Sequence, residues 1–152
     1  MIDQRLAELG IVLPDAASPS FNYVPVVLNR GTAYVAGQLP KVDGEVRVHG
    51  KAGGAVSLEA ARAEARICIL QGLACLRQAL GSLDRIERVL KVTGFVASAP
   101  GFNDQPKVLD AASDLLGEIF GEAGRHARSA VGVAELPRDA AVEIELVVAY
   151  RE

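Results

Sequence analysis

A polar cluster near the end of the chain contains the residue types best suited to binding an anion. The cluster runs from Gly124 to Ser129 and includes Arg125, His126 and Arg128, just before an apolar segment. Because the arginine fork suits bidentate hydrogen bonding, this cluster predicts a binding site for a carboxylate or phosphate. A charged loop exposed to solvent has the same appearance, and for His126 a structural or solvated role is a stronger expectation than catalysis.

Glu143 is the second residue whose setting indicates chemistry. It lies inside the apolar segment from Ala141 to Tyr150. An unpaired carboxylate in such a setting is costly to bury, so Glu143 is expected to be either paired or functional. A carboxylate of this kind can hold or polarise a water molecule.

Several common site types have no signature in the sequence. We find no P-loop, no dinucleotide-binding glycine pattern and no nucleophile elbow. The glycine-rich run GKAGGA at 50–55 favours a mobile loop. His49 and His126 are far apart in sequence, and both cysteines belong to one predicted helix, so we expect neither a metal site nor a cofactor.

Composition argues against nucleic acid as a partner. The 152 residues carry a formal charge of −3, only 5% are aromatic, and there is no tryptophan. A mildly acidic surface repels phosphate backbones, and few side chains are available for base stacking. The N-terminal stretch MIDQRLAELGIVLP contains Asp3 and Glu8, which is atypical of a secretory signal or a membrane span. We therefore expect a cytoplasmic protein that does not bind membranes.

Two cysteines, Cys68 and Cys75, are seven residues apart in a predicted helix. This spacing separates them by about 10 Å along the helix axis. Since a disulfide requires Cα atoms within roughly 7 Å, the two residues are not expected to pair within that helix.

Hydrophobic periodicity and turn residues predict one domain, 1–152, with an N-terminal extension at 1–17. A short helix is expected at 3–9. The longer elements follow the order β-β-β-α-β-α-β-β. Their predicted bounds are Val24–Leu28, Thr32–Gly37, Glu45–Gly50, Leu58–Leu80, Ile86–Ala97, Pro106–Phe120, Arg128–Glu135 and Ala141–Tyr150. The fold class is α+β, with a single mixed sheet backed by two helices on one face.

Strand alternation predicts what lies on each face of this sheet. In the last strand the apolar residues at 142, 144, 146 and 148 face the helices, whereas Glu143 and Glu145 point the other way. In the preceding strand, Arg128 is expected on the same second face as the two glutamates, together with Ala130 and the small residues at 132 and 134. Small residues permit close packing, so we expect another subunit there, although a solvated face with an Arg–Glu pair fits the same pattern.

The order of elements and two motifs resemble the Rid family, also called the YjgF family of imine deaminases. The stretch RSAVGVAELPRDAAVEIE at 128–145 resembles the family's C-terminal signature. The segment YVAGQLP at 34–40 resembles its S-G-Q-x-P strand end. Tyr23 stands thirteen residues before Ala36, the interval between the family's active-site tyrosine and serine. The resemblance covers about 18–150, and the chain also resembles a distinct subgroup whose members are often labelled endoribonuclease or chorismate mutase-like.

This resemblance implies a chorismate mutase-like fold, a homotrimer and active sites in the clefts between subunits. Arg128 corresponds to the arginine that binds the substrate carboxylate, Glu143 to the glutamate that orients water, and Tyr23 to a tyrosine beside the substrate. The implied reaction hydrolyses a small 2-imino or enamino acid to a 2-keto acid and ammonia. Ala36 and Gly37 occupy the serine-glycine pair of the family motif, and His126 is a further candidate contact for the small carboxylate.

Two departures from the family pattern keep other functions open. Ala36 replaces the family serine and Ala130 the family cysteine, and both changes remove polar groups from the implied site. The first alternative is a non-catalytic, regulatory protein that binds a small carboxylate in the same cleft. An endoribonuclease is a weaker alternative, because the chain is acidic and poor in aromatic residues.

Overall fold

The structure, a computed structural model, describes residues 1–18 and 21–152. The described residues form three α-helices and seven β-strands. In chain order these are α1 (Ile2–Glu8), β1 (Val26–Asn29), β2 (Thr32–Gln38), β3 (Lys41–Val42), β4 (Glu45–Val46), α2 (Leu58–Leu80), β5 (Ile86–Ala97), α3 (Gln105–Phe120), β6 (Ala127–Val133) and β7 (Val142–Tyr150).

Five of the strands form one mixed sheet in the order β1-β2-β7-β5-β6. Neighbouring strands are antiparallel except β5 and β6, which are parallel and joined through α3. Parallel neighbours need such a crossover, and the helix supplies it. Helices α2 and α3 pack against each other and against the same face of the sheet. The predicted α+β arrangement, with two helices covering one face, is confirmed.

Helix α2 has the bounds that its sequence predicted. The Ser57 hydroxyl accepts a hydrogen bond from the Ala60 amide at 3.1 Å, which caps the first turn. Gly81 ends the helix with a φ of 83°, a left-handed conformation that glycine adopts without strain. Both cysteines are buried on this helix and unpaired, as the spacing predicted.

The third predicted strand is wrong in extent and in partner. Glu45–Gly50 was expected as one strand of the sheet, but only Glu45–Val46 is extended, and it pairs with Lys41–Val42 in a separate two-stranded hairpin. Asp43 and Gly44 form the turn with positive φ values of 52° and 81°. Such a two-residue turn pairs strands that are adjacent in sequence, and this pairing keeps β4 out of the main sheet.

The turn between β1 and β2 is also tighter than expected. Asn29 was predicted as a turn residue, but it belongs to β1 and pairs with Thr32. The two turn residues are Arg30 and Gly31, with φ values of 50° and 79°. This two-residue connection matches the twist of a hairpin and fixes the register of β1 on β2.

The hydrophobic core lies between the sheet and the two long helices. On β7 the alternation follows the prediction: the residues at 142, 144, 146 and 148 are buried, whereas Glu143 and Glu145 lie on the opposite face. We call the face of the sheet that α2 and α3 leave uncovered the open face. Several apolar side chains remain largely exposed there, namely Val27, Tyr34 and Val131.

Candidate functional site

Five of the seven predicted site residues line two separate clefts, whereas Ala36 and Ala130 line neither of them. The first, which we call the Glu143 cleft, has a volume of about 270 Å³ and contains Tyr23, Gly37 and Glu143. The second, which we call the Arg128 cleft, has a volume of about 360 Å³ and contains His126 and Arg128. Within one chain, the structure therefore brings together the residues of each group but does not bring the two groups together.

Glu143 lies on the open face near the start of β7, half-buried beside Phe95 of the neighbouring strand. Among the described residues, no group donates a hydrogen bond to its carboxylate and no cation pairs with it. Burial raises the pKa of Glu143, and the charge of Glu145 raises it further. A carboxylate with a raised pKa and unused acceptors is suited to accept a proton from a bound water.

A bulge in β2 allows the backbone to approach this carboxylate. The pairing of β2 with β7 shifts between Val35 and Gln38, so Ala36 and Gly37 together oppose a single residue of β7. A Cβ atom placed on Gly37 would lie 2.6 Å from Oε2 of Glu143. Only glycine leaves room for the carboxylate in its present position.

Apolar and cationic side chains complete the Glu143 cleft. Phe21 and Tyr23 are exposed aromatic residues on its wall. Lys41 and Arg138 also line it, and the sequence analysis did not single them out. Arg138 has a φ of 57°, in the left-handed region, and its loop position gave no periodic signal that would have identified it.

Arg128 lies on the helix-covered face of the sheet, so its predicted placement beside the glutamates is wrong. Register places it in one row with Val92 and Leu146, both of which are core residues. Its guanidinium reaches α3 and donates hydrogen bonds to Asp110 Oδ1 at 2.8 Å, to Ser113 Oγ at 3.0 Å and to the Pro106 carbonyl at 3.3 Å.

The small residues of β5 and β6 explain why the face prediction failed. A Cβ atom on Gly94 would lie 2.3 Å from the Leu109 side chain, and one on Gly132 would lie 2.8 Å from Gln105 Nε2. The small residues therefore accommodate the close approach of α3, and Ala130 packs against the core on the same side. The small residues of β6 at this face therefore serve the packing of α3, and the expectation of another subunit against them is wrong.

His126 joins Arg128 through a serine that the sequence analysis missed. Nε2 of His126 lies 2.9 Å from Oγ of Ser113, and Nδ1 lies 2.6 Å from the Gly124 carbonyl oxygen. Asp110 and Ser113 are three residues apart on α3, a spacing that places both on one side of a helix. That spacing was a usable signal, but only the register of β6 shows that this side meets Arg128.

Two polar side chains of α2 are buried without a full set of hydrogen-bond partners among the described residues. Glu64 and Gln71 are 4% and 3% exposed, and one side-chain oxygen of each has no hydrogen-bond partner among the described residues. Nε2 of Gln71 donates to the Lys41 carbonyl at 2.8 Å, which ties the β3–β4 hairpin to the helix. Burial raises the pKa of Glu64, and the charge of His49 lowers it by a smaller amount.

Residues 1–18 and 21–152 contain neither a metal-binding cluster nor a membrane-spanning helix. No three His, Cys, Asp or Glu side chains cluster in a way that would hold a metal ion. No helix in these ranges has both the length and the apolar character needed to cross a bilayer.

Comparison with known proteins agrees with the fold and the motifs. The family described as "YjgF/chorismate mutase-like, putative endoribonuclease" matches residues 3–149. Protein TCP17 of Trypanosoma cruzi is 47% identical over 145 residues, which cover 95% of this chain and 91% of that protein. The 2-iminobutanoate/2-iminopropanoate deaminase of Dermatophagoides farinae is 33% identical over 138 residues, covering 91% and 93%.

Solved structures are similar over the whole chain. The crystal structure of a protein from Shewanella oneidensis, described as a putative endoribonuclease, superposes with a TM-score of 0.94 at 32% identity, covering 98% of this chain and 99% of that one. The family match and this superposition confirm the predicted resemblance. The chain therefore belongs to the YjgF/chorismate mutase-like family.

Proposed function

We propose that this protein hydrolyses small 2-imino or enamino acids to 2-keto acids and ammonia. The observation that carries the proposal is Glu143, a half-buried carboxylate with a raised pKa and no partner among the described residues, at the edge of a cleft. The D. farinae relative, whose name states this activity, supports the choice of substrate class.

In the proposed reaction, Glu143 binds a water molecule and accepts a proton from it as the oxygen attacks C2 of the imine. Glu143 passes this proton to the imine nitrogen, which gives a carbinolamine with a hydroxyl and an amino group on C2. The hydroxyl proton then moves to the nitrogen, the C2–N bond breaks and the C2=O bond forms, so that water and imino acid become keto acid and ammonia. Tyr23 contacts the substrate from the wall of the cleft. Arg128 binds the carboxylate through charge-assisted hydrogen bonds and thereby places C2 beside the water.

Two protomers are required for this assignment, because Arg128 and Glu143 lie on opposite faces of the sheet. We infer that Arg128 of one protomer completes the Glu143 cleft of its neighbour in a homotrimer. The open face supports this inference, since Val27, Tyr34 and Val131 are 51%, 50% and 43% exposed there. Val27 and Tyr34 lie near one edge of the sheet and Val131 at the other, and apolar side chains exposed on one face favour burial against another protein surface.

A second function, carboxylate binding without turnover, is favoured by one specific observation. Ala36 and Ala130 stand where the family motif has a serine and a cysteine, and neither alanine offers a polar side chain. Ala130 also packs against the core on the helix-covered face. If Glu143 and Tyr23 do not suffice for catalysis, the same cleft remains a binding site.

The test is an imine-hydrolysis assay with semicarbazide as the competing trap. An amino-acid oxidase generates 2-iminopropanoate or 2-iminobutanoate in situ, and wild type is compared with Arg128→Gln and Glu143→Gln. Gln78→Ala is the control, because Gln78 is an exposed residue of α2 that lines neither the Glu143 cleft nor the Arg128 cleft. We expect wild type and the control to suppress semicarbazone formation, and each of the two site variants to lose about 10- to 100-fold in rate.

Two results would contradict the proposal. Absence of any effect of wild type, combined with Arg128-dependent binding of 2-keto acids, would establish the binding function instead. Sedimentation as a stable monomer of 16.0 kDa, rather than a species of three times that mass, would remove the shared cleft.

A further inference from the structure

A continuous chain of hydrogen bonds leads from Arg128 to the backbone before β6. Nη1 of Arg128 lies 3.0 Å from Ser113 Oγ, which lies 2.9 Å from Nε2 of His126. Nδ1 of the same ring lies 2.6 Å from the Gly124 carbonyl oxygen. These groups come from α3, from β6 and from the segment between them, so the chain links two elements of the fold.

The direction of each bond in this chain follows from its two ends. A carbonyl oxygen only accepts, so Nδ1 of His126 must carry a hydrogen and donate it to Gly124. In the neutral ring Nε2 is then an acceptor, and the Ser113 hydroxyl donates to it. The guanidinium only donates, so Ser113 Oγ accepts from Arg128. Both ring nitrogens of His126 are therefore occupied, and the ring has no polar atom left for a ligand.

Arg128 has five N–H groups, and its contacts among the described residues use three of them. Both hydrogens of Nη1 are directed at Asp110 and Ser113, and one hydrogen of Nη2 is directed at the Pro106 carbonyl. Nε has no partner among the described residues, and Nη2 has a second hydrogen besides the one directed at Pro106; Nε and Nη2 lie on one side of the guanidinium. This pair has the geometry that binds a carboxylate through two parallel hydrogen bonds.

We propose that Ser113 and His126 are positioning residues, which hold Arg128 so that its Nε–Nη2 edge faces a ligand carboxylate. This assignment rests on the proposed role of Arg128 in carboxylate binding and gives His126 an indirect role. Asp110 alone does not fix the guanidinium, because its side chain is 53% exposed and an exposed ion pair holds geometry weakly. The Ser113 hydroxyl, held in turn by His126, supplies the second fixed point.

The experiment compares binding of pyruvate and pyruvamide, which have similar shapes but differ in charge at the group that Arg128 contacts. Dissociation constants are measured by NMR titration for wild type, Arg128→Gln, Ser113→Ala, Ser113→Thr and His126→Ala, with Gln78→Ala on the exposed side of α2 as the control. We expect wild type, Ser113→Thr and the control to prefer pyruvate. Ser113→Ala and His126→Ala should weaken pyruvate binding by about three- to tenfold. Their affinity for pyruvamide should not change.

A purely structural role of Ser113 and His126 would give a different pattern, because a general loosening of the site weakens the binding of pyruvate and of pyruvamide equally. Equal loss for pyruvate and pyruvamide in Ser113→Ala, or no loss in either positioning variant, would overturn the inference. If Arg128→Gln keeps the preference for pyruvate, the carboxylate is bound elsewhere and the role of Arg128 itself is refuted. Loss of the preference in Arg128→Gln alone would refute only the roles of Ser113 and His126. His126→Ala provides the same test if Ser113→Ala does not fold.

Discussion

Replacing Gly37 with alanine tests the proposed role of Glu143 without altering the carboxylate itself. The added Cβ would lie 2.6 Å from Oε2 of Glu143, whereas ordinary van der Waals contact begins near 3.4 Å. The carboxylate must therefore move by about 0.8 Å, the difference between these two distances. A misplacement of roughly 1 Å at a catalytic group can lower the rate by about 10²-fold. We expect a loss of that size in Gly37→Ala.

Stability should change little in the same variant. The nearest atoms belong to the end of a flexible side chain, and an off-rotamer torsion costs about 0.5–1.5 kcal/mol. The gain from replacing glycine, about 0.4–1 kcal/mol through the unfolded chain, offsets much of this cost. The net change should stay within about 1 kcal/mol, which corresponds to a Tm shift of about 2–4 °C for a chain of this size.

The assay is the semicarbazide competition at matched protein concentrations, with Tm measured by calorimetry. Gly54→Ala is the matched control, because a Cβ there meets nothing closer than 3.4 Å. The double variant Gly37→Ala/Glu143→Gln should be no slower than Glu143→Gln alone, since both changes act on one group. Wild-type activity in a folded Gly37→Ala protein would refute the requirement for this carboxylate position.

Three further predictions follow from charge and packing. Glu145→Gln should lower the pKa of Glu143 by removing a neighbouring charge, so the acid limb of the pH–rate profile should move to lower pH; an unmoved limb would contradict the assigned cause. Gly94→Ala should lower the free energy of unfolding by about 1–3 kcal/mol in urea titration, because the added Cβ would lie 2.3 Å from the buried Leu109 side chain. A loss below about 0.5 kcal/mol would mean that α3 moves aside at little cost and would contradict the tight packing of α3 at Gly94. Burial raises the pKa of Glu64, so folding disfavours its charged form and wild type loses stability as pH rises through that pKa; Glu64→Gln should therefore gain more in Tm over wild type at pH 8 than at pH 5, and an equal gain at both would refute this linkage.

Helix bounds were readable from the sequence because local signals mark both ends. Ser57 and Gly81 bracket α2, and the apolar residues between them recur at helical spacing. The strands β5 and β7 were equally clear, since each is long and rich in β-branched residues. The prediction of a strand at 45–50 was wrong, because a short alternating segment fits a local hairpin as well as it fits a strand of the main sheet. Here the tight Asp43–Gly44 turn favours the hairpin.

Some features of the candidate site were also predictable from the sequence, and others were not. The sequence predicted Arg128, His126 and Glu143 as site residues, because each is a polar residue in or beside an apolar strand. It assigned Arg128 to the wrong face, because the small residues of β6 fit either a partner subunit or a closely packed helix. Ser113 escaped notice, since its spacing from Asp110 places both on one side of α3 but does not show that this side meets Arg128.

The amino-acid sequence by itself determined the family, the two covering helices and the residue types that can bind a carboxylate and polarise a water. These properties depend on local spacing and side-chain chemistry, which do not require knowledge of the packing. Only the tertiary structure decided that Arg128 binds α3 through Asp110 and Ser113 while Glu143 lies on the open face. That outcome depends on the register of β6 beside β5 and on the close approach of α3 at Gly94, which join residues distant in sequence.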